Sequence, residues 1–161
     1  MKYFIPVLIA ACAFCLCAQD QEPQNQKAVV PESYVALISS DLQYKKTAIL
    51  EQNLTLSDDQ ARKFWPLQRN FENDLSKLGD ERMDVIRDYA NNWDNLGDDT
   101  AKSLGKRLLE YHKKRVELAQ KYFERISKEL SPTIAAKFFQ IEIQLEDLTD
   151  IAIGSSIPLI K

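Results

Sequence analysis

Cysteine is missing from everything beyond residue 17: all three copies, Cys12, Cys15 and Cys17, fall within the first eighteen residues of a 161-residue chain. Once that segment is removed, the rest can form no disulfide, thiol nucleophile or zinc–thiolate site. Histidine occurs once, as His112, inside the charged run "EYHKKR", which reads as a solvated helix face. Past the first eighteen residues methionine also occurs once, as Met83, so a soft metal site has too few ligands. Four glycines are too few and too scattered for a phosphate-cradling loop or a nucleophile elbow. An excess of basic residues is lacking too, because the net charge is −3, and a protein that cannot neutralise phosphates is a poor nucleic-acid binder. No segment alternates apolar and polar residues with period two, so no strand is expected.

The first eighteen residues, "MKYFIPVLIAACAFCLCA", carry one lysine and an apolar stretch that ends on a small residue before a polar run. That anatomy predicts a secretory leader cleaved after Ala18. Two alternatives stay open: a lipoprotein leader ending at Cys12 after "IAA", and an uncleaved anchor. Losing Lys2 with the leader leaves 20 basic and 24 acidic side chains, a net charge of −4. Residues 19–30, "QDQEPQNQKAVV", read as a flexible tether. Residues 31–154 then form one helical domain, and 155–161, "SSIPLIK", an apolar tail that could lie along a groove or a partner.

Four helices are expected. The first spans about Pro31–Gln52, with Tyr34, Leu37, Ile38, Leu42, Ile49 and Leu50 facing inward, and "NLT" at 53–55 serves as a linker. The second starts at Ser57 and meets no decisive stop before Asp94, which makes it close to 55 Å long. The third runs from Asp98 to Glu129 on Leu104, Leu108, Tyr111, Leu118, Tyr122 and Ile126, with Glu–Lys pairs four residues apart on its outer face. The fourth opens at Ser131 with Pro132 in its first turn, presents Ile134, Phe138, Ile141, Leu145 and Leu148, and stops near Gly154. The fold class is therefore all-α, an elongated antiparallel bundle or hairpin with two long helices. A kink is expected near Pro66, whose ring removes the backbone bond to the Arg62 carbonyl.

Three helix starts share one pattern: "LSDDQARKF" at 56–64, "LGDDTAKSL" at 96–104 and "LSPTIAAKF" at 130–138. Leu56, Leu96 and Leu130 precede the capping position, where Ser57 and Ser131 supply side-chain oxygens and Gln60 completes a capping box. The acid pairs Asp58–Asp59 and Asp98–Asp99 sit in first turns, where the helix dipole suffices to explain them.

"LSDDQ" resembles the Leu-Thr-x-x-Gln (LTxxQ) motif of the small periplasmic stress proteins of the CpxP/Spy type. "LSPTI" stands where a second copy would, with Ile134 in place of the glutamine. The likeness continues through "FWPLQRNFENDLSKL" and "AAKFFQIE" and covers roughly residues 45–153. It implies a hairpin of long helices paired into a cradle-like homodimer. It also implies a chaperone-like role without ATP, or a role in sensing envelope stress.

The residues and the resemblance together predict an exported, periplasmic protein without catalytic residues, cofactor, metal or small-molecule substrate. Its partners are unfolded or stress-related proteins; the alternative is an adaptor or inhibitor of one sensor or envelope protein. Phe64, Trp65, Phe138 and Phe139 are the candidate partner-binding residues. The same four could instead fill the junction where helices cross, because one narrow seam does not need them all.

Overall fold

The computed structural model describes residues 44–155, together with 157 and 159. The expected leader, tether, first helical turns and most of the tail lie outside the described residues. Within them the chain is all-α: α1 (44–54), α2 (Asp58–Asn92), a 3-10 turn (Trp93–Asn95), α3 (Asp98–Glu129) and α4 (Pro132–Gly154). No helix among the described residues is long and apolar enough to cross a membrane.

The short connection from α1 to α2 is set by two local devices. Thr55 leaves α1 with φ 47°, a left-handed conformation that a β-branched residue adopts only at a cost. Ser57 then caps α2: its Oγ accepts from the Gln60 amide at 3.3 Å, and its own amide donates to Gln60 Oε1 at 3.0 Å. Asp58 and Asp59 in the first turn meet the positive end of the dipole. Leu56, just before the cap, packs on the core. At α4, Ser131 Oγ accepts from the Ile134 amide at 3.2 Å, Pro132 occupies the first turn, and Leu130 packs on the core. Gly97, the N-cap of α3, has no side chain to accept, and Leu96 before it is half-buried.

α2 extends about 52 Å over its 35 residues and runs unbroken through Pro66. Pro66 and Arg62 both lie on the exposed face, so the carbonyl freed by the missing N–H turns toward water, and the helix continues. The bend expected at Pro66 is not established by this unbroken helix.

The register of the hairpin is written in its polar contacts. Asp74 of α2 meets Tyr122 and Lys121 of α3, Glu81 meets Lys114, and Asp88 meets Arg107. Rising numbers on one helix against falling numbers on the other define an antiparallel pair. α4 turns back along α3, with Arg115 opposite Glu146 and Phe123 opposite Phe139. It therefore runs parallel to α2, which it meets through Phe64–Phe138, Phe71–Phe139 and Arg82–Asp150.

The core gathers where all four helices converge. Leu50 and Leu54 of α1, Phe64, Leu67 and Phe71 of α2, Tyr122 and Ile126 of α3, and Ile134 and Phe138 of α4 are buried together. Phe138 stands edge-on to Phe64 and Phe71, with ring centroids 5.3 and 5.6 Å apart, in the geometry the aromatic quadrupole favours. Two residues expected on inner faces are exposed instead. Leu108 lies level with the last turn of α4, by the register of Arg115–Glu146 and Phe123–Phe139, where little of that helix remains to cover it. Leu148 sits one residue off the inward row Glu142, Leu145, Thr149, Ile153, a rotation of about 100° on a helix.

Candidate functional site

Below the aromatic core, a trough opens between α2 and α4 with α3 as its floor. Leu75, Gly79 and Met83 form one wall, Phe139 and Ile143 the other, and Val116 and Ala119 the floor. Its volume is about 850 Å³. An added side chain at Gly79 would meet nothing within 4 Å, so the wall is open there.

Ion pairs tie the trough together. Arg82 of α2 reaches Asp150 of α4 at 2.5 Å, and Arg115 of α3 is paired with Glu146 of α4. Arg87 at the far end is paired with Asp84 at 2.6 Å. These pairs link three helices, and they also neutralise the arginines that face the opening.

At the core end lies a buried cluster of charges. Lys46 Nζ of α1 sits 2.6 Å from Glu72 Oε1 of α2 and 2.6 Å from Glu142 Oε2 of α4. Gln68 Nε2 donates to the same Glu72 oxygen at 3.2 Å. Burial alone would lower the Lys46 ammonium, but the carboxylates of Glu142 and Glu72 outweigh it and hold the pKa above its ordinary value. For Glu142 burial dominates and pushes the carboxyl from 4.5 to about 7. Lys46 and Arg115 oppose that rise, while Glu72 adds to it. Glu142 Oε1 has no hydrogen-bond partner, a condition it shares only with Ser127 Oγ among the buried side-chain atoms of the described residues.

Of the candidate partner-binding residues, Phe64, Phe138 and Phe139 are buried in the core, and Trp65 is half-buried against it, edge-on to Phe64 at 5.1 Å. The structure thus places them at the helix junction, the second of the two roles open to them. Phe139 alone also borders the trough. The helix-start residues Leu56, Ser57, Gln60, Leu130 and Ser131 act as caps and staples at the helix ends, and Leu96 is half-buried before the uncapped start of α3; none of the six lines the trough. His112 is exposed on α3, at the trough's edge. No group of three or more His, Cys, Asp or Glu side chains able to hold a metal occurs among the described residues.

Sequence reasoning missed the Lys46–Glu72–Glu142 cluster, although its signal was present. Lys46, Leu50 and Leu54 recur every four residues, as do Ile134, Phe138 and Glu142, so both charges occupy inward positions of an apolar stripe. A charge in such a position rarely goes unpaired.

On α3, Leu109, Val116 and Phe123 are exposed at intervals of seven residues, with Leu109 71 % accessible, and Val116 also borders the trough. No family model, no curated protein and no solved structure matches the chain.

Proposed function

We propose that the chain is an exported, non-enzymatic helical protein that binds segments of unfolded or stress-related proteins, without ATP, in the trough between α2 and α4. The observation that supports this reading most is the trough itself. It has apolar walls and floor, an open side, and a rim whose arginines are already neutralised by acids. A long channel of that kind suits an apolar segment laid along it, as helix-in-groove recognition does. The leader-like residues 1–18 and the resemblance carried by "LSDDQ" favour the exported, stress-related setting.

A second copy of the chain belongs to the same proposal. Leu109, Val116 and Phe123 repeat at the heptad spacing that helix–helix seams use. A thin bundle with little core per residue also gains from association.

The test is light scattering of an aggregating client mixed with the mature protein. Suppression at stoichiometric amounts is expected, and Gly79→Leu, which fills the open wall, should abolish it while leaving helicity intact. If neither protein suppresses aggregation and a single envelope protein is captured instead, the chain is an adaptor for that protein. Sedimentation as a monomer at micromolar concentration would remove the homodimer.

A further inference from the structure

We propose that the core end of the trough is a docking site for a cationic side chain, so that the bound segment is one with a lysine or arginine flanked by apolar residues, its charged group seated on Glu142. This rests on the trough being a protein-binding channel and specifies which segments it accepts.

Three observations converge on it. The first is the unpartnered acceptor. Glu142 borders the trough, its side chain is only 8 % exposed, and one oxygen is held by Lys46 while the other has no partner. Leaving a buried acceptor unsatisfied is costly, and a donor brought by a ligand would remove that cost.

The second is the local charge balance. One ammonium, Lys46, faces two carboxylates, Glu72 and Glu142, while the nearby Arg115 is already matched by Glu146. Glu142 shares the Lys46 ammonium with Glu72, so a cation brought to its second oxygen adds an attraction that Lys46 alone does not supply. An anionic ligand finds no such opening, because Arg82 and Arg115 are paired with Asp150 and Glu146.

The third is continuity. The apolar walls begin beside the cluster, at Phe71 and Phe139, and continue to Ile153, eleven residues of α4 beyond Glu142. That run of helix measures about 17 Å. An extended segment needs only about five residues to cover it at roughly 3.3 Å each. Its basic side chain can lie along Phe71 and Phe139 by its methylene stem while the charged head reaches the carboxylate.

Proton exchange follows from the same geometry. The groups facing Glu142 are Lys46 from α1, Glu72 from α2, Arg115 from α3 and Glu146 from its own helix. Burial keeps the free carboxyl near a pKa of about 7, so at neutral pH about half of the molecules carry a proton there. Binding turns the protonated carboxyl and the ligand's ammonium into a carboxylate–ammonium pair and releases that proton to solvent. The competent, ionised fraction grows from about 9 % at pH 6 to about 91 % at pH 8, so apparent affinity rises about tenfold across that interval.

The test uses the mature protein and two fluorescent decapeptides, one with a single lysine among leucine and valine, the other with norleucine in its place. The lysine peptide is expected to bind at least about tenfold more tightly at pH 8. Its advantage should shrink toward pH 6 and vanish in Glu142→Gln, whose side chain matches the protonated acid in shape. Calorimetry in buffers of different ionisation enthalpy should show proton release by the wild type with the lysine peptide alone. Equal affinity for the two peptides in the wild-type protein overturns the cation site but leaves the channel itself standing. If neither peptide binds, the cation site falls; unchanged client protection by Gly79→Leu shows separately whether the channel falls too.

Discussion

Replacing Lys46 by methionine probes the buried cluster most directly, because it removes the one cation between two carboxylates and keeps most of the side-chain volume. The wild type comes first. Glu142 has a folded pKa of about 7 against 4.5 ordinarily, so between those values the folded state binds more protons than the unfolded chain. Stability therefore falls as pH rises through that window, by up to about 3 kcal/mol from this group, since each unit is worth about 1.4 kcal/mol. Lys46 acts in the other sense: its raised pKa means that its contribution is present throughout the range below about 10 and is not lost between pH 5 and 8.

In Lys46→Met at pH 5, Glu142 carries its proton, and the remaining loss is chiefly the charged hydrogen bond to Glu72, about 1.5–3 kcal/mol. At pH 8 the variant must either bury Glu142 ionised without its counter-ion or take up a proton against the solution, and breaking a buried pair in this way costs roughly 3–5 kcal/mol. The gap between wild type and variant should thus widen by about 2 kcal/mol from pH 5 to pH 8. Urea unfolding followed by circular dichroism measures it: with a slope of about 1–2 kcal/mol per molar, the difference in midpoint grows by 1–2 M. A gap that stays constant across this pH range, or one below about 1 kcal/mol at pH 8, would refute the assignment of a buried, charge-coupled Glu142.

Other substitutions test the frame around the cluster. Ser57→Ala should lower stability by about 1 kcal/mol through loss of the cap, and an unchanged melting temperature would contradict the capping box. Thr55→Gly should raise stability by about 1 kcal/mol, since glycine relieves the strain of φ 47°; a lower melting temperature would show that the threonine contributes more than its backbone costs. Phe138→Ala removes a fully buried ring edge-on to Phe64 and Phe71, and should cost about 3–5 kcal/mol in chemical denaturation. Trp65→Ala, at a half-buried site, should cost clearly less than Phe138→Ala; an equal loss would make Trp65 part of the inner core.

The helices were legible in the sequence because their boundaries are local events. Ser57 with Gln60, Ser131 with Pro132, and the acids after Gly97 each mark a start within four residues of chain, and α3 and α4 begin and end where those signals fall. The length of α2 was legible for the converse reason: nothing between Asp58 and Asn92 supplies a stop, and Pro66 sits where solvent can satisfy the freed carbonyl. The inward positions of Lys46 and Glu142 were legible, but the trough and the pairing of those charges were not, because they depend on residues far apart in the chain. Lys46 and Glu142 meet only when α4 has turned back beside α2, and no periodicity within either helix reveals that partnership. The same holds for Leu108, whose exposure depends on how far α4 extends along α3. The aromatic residues were visible as a group, but whether Phe64, Phe138 and Phe139 lay open or packed was decided by three helices arriving at one place.

The unequal lengths of the helices make the molecule's cohesion uneven along its axis. Where α1, α2, α3 and α4 all meet, backbone amides such as those of Phe71, Tyr122 and Phe138 are shielded by a dense aromatic cluster. Toward the turn Trp93–Asn95, α2 and α3 have only each other among the described residues, with Val85 and Leu104 buried at that end and the Asp88–Arg107 pair on the surface. Opening that end exposes little apolar area, so it should exchange its amide hydrogens orders of magnitude faster than the four-helix end. The hairpin tip then behaves as a hinge-ready clasp on a rigid base, able to open without unfolding the four-helix end.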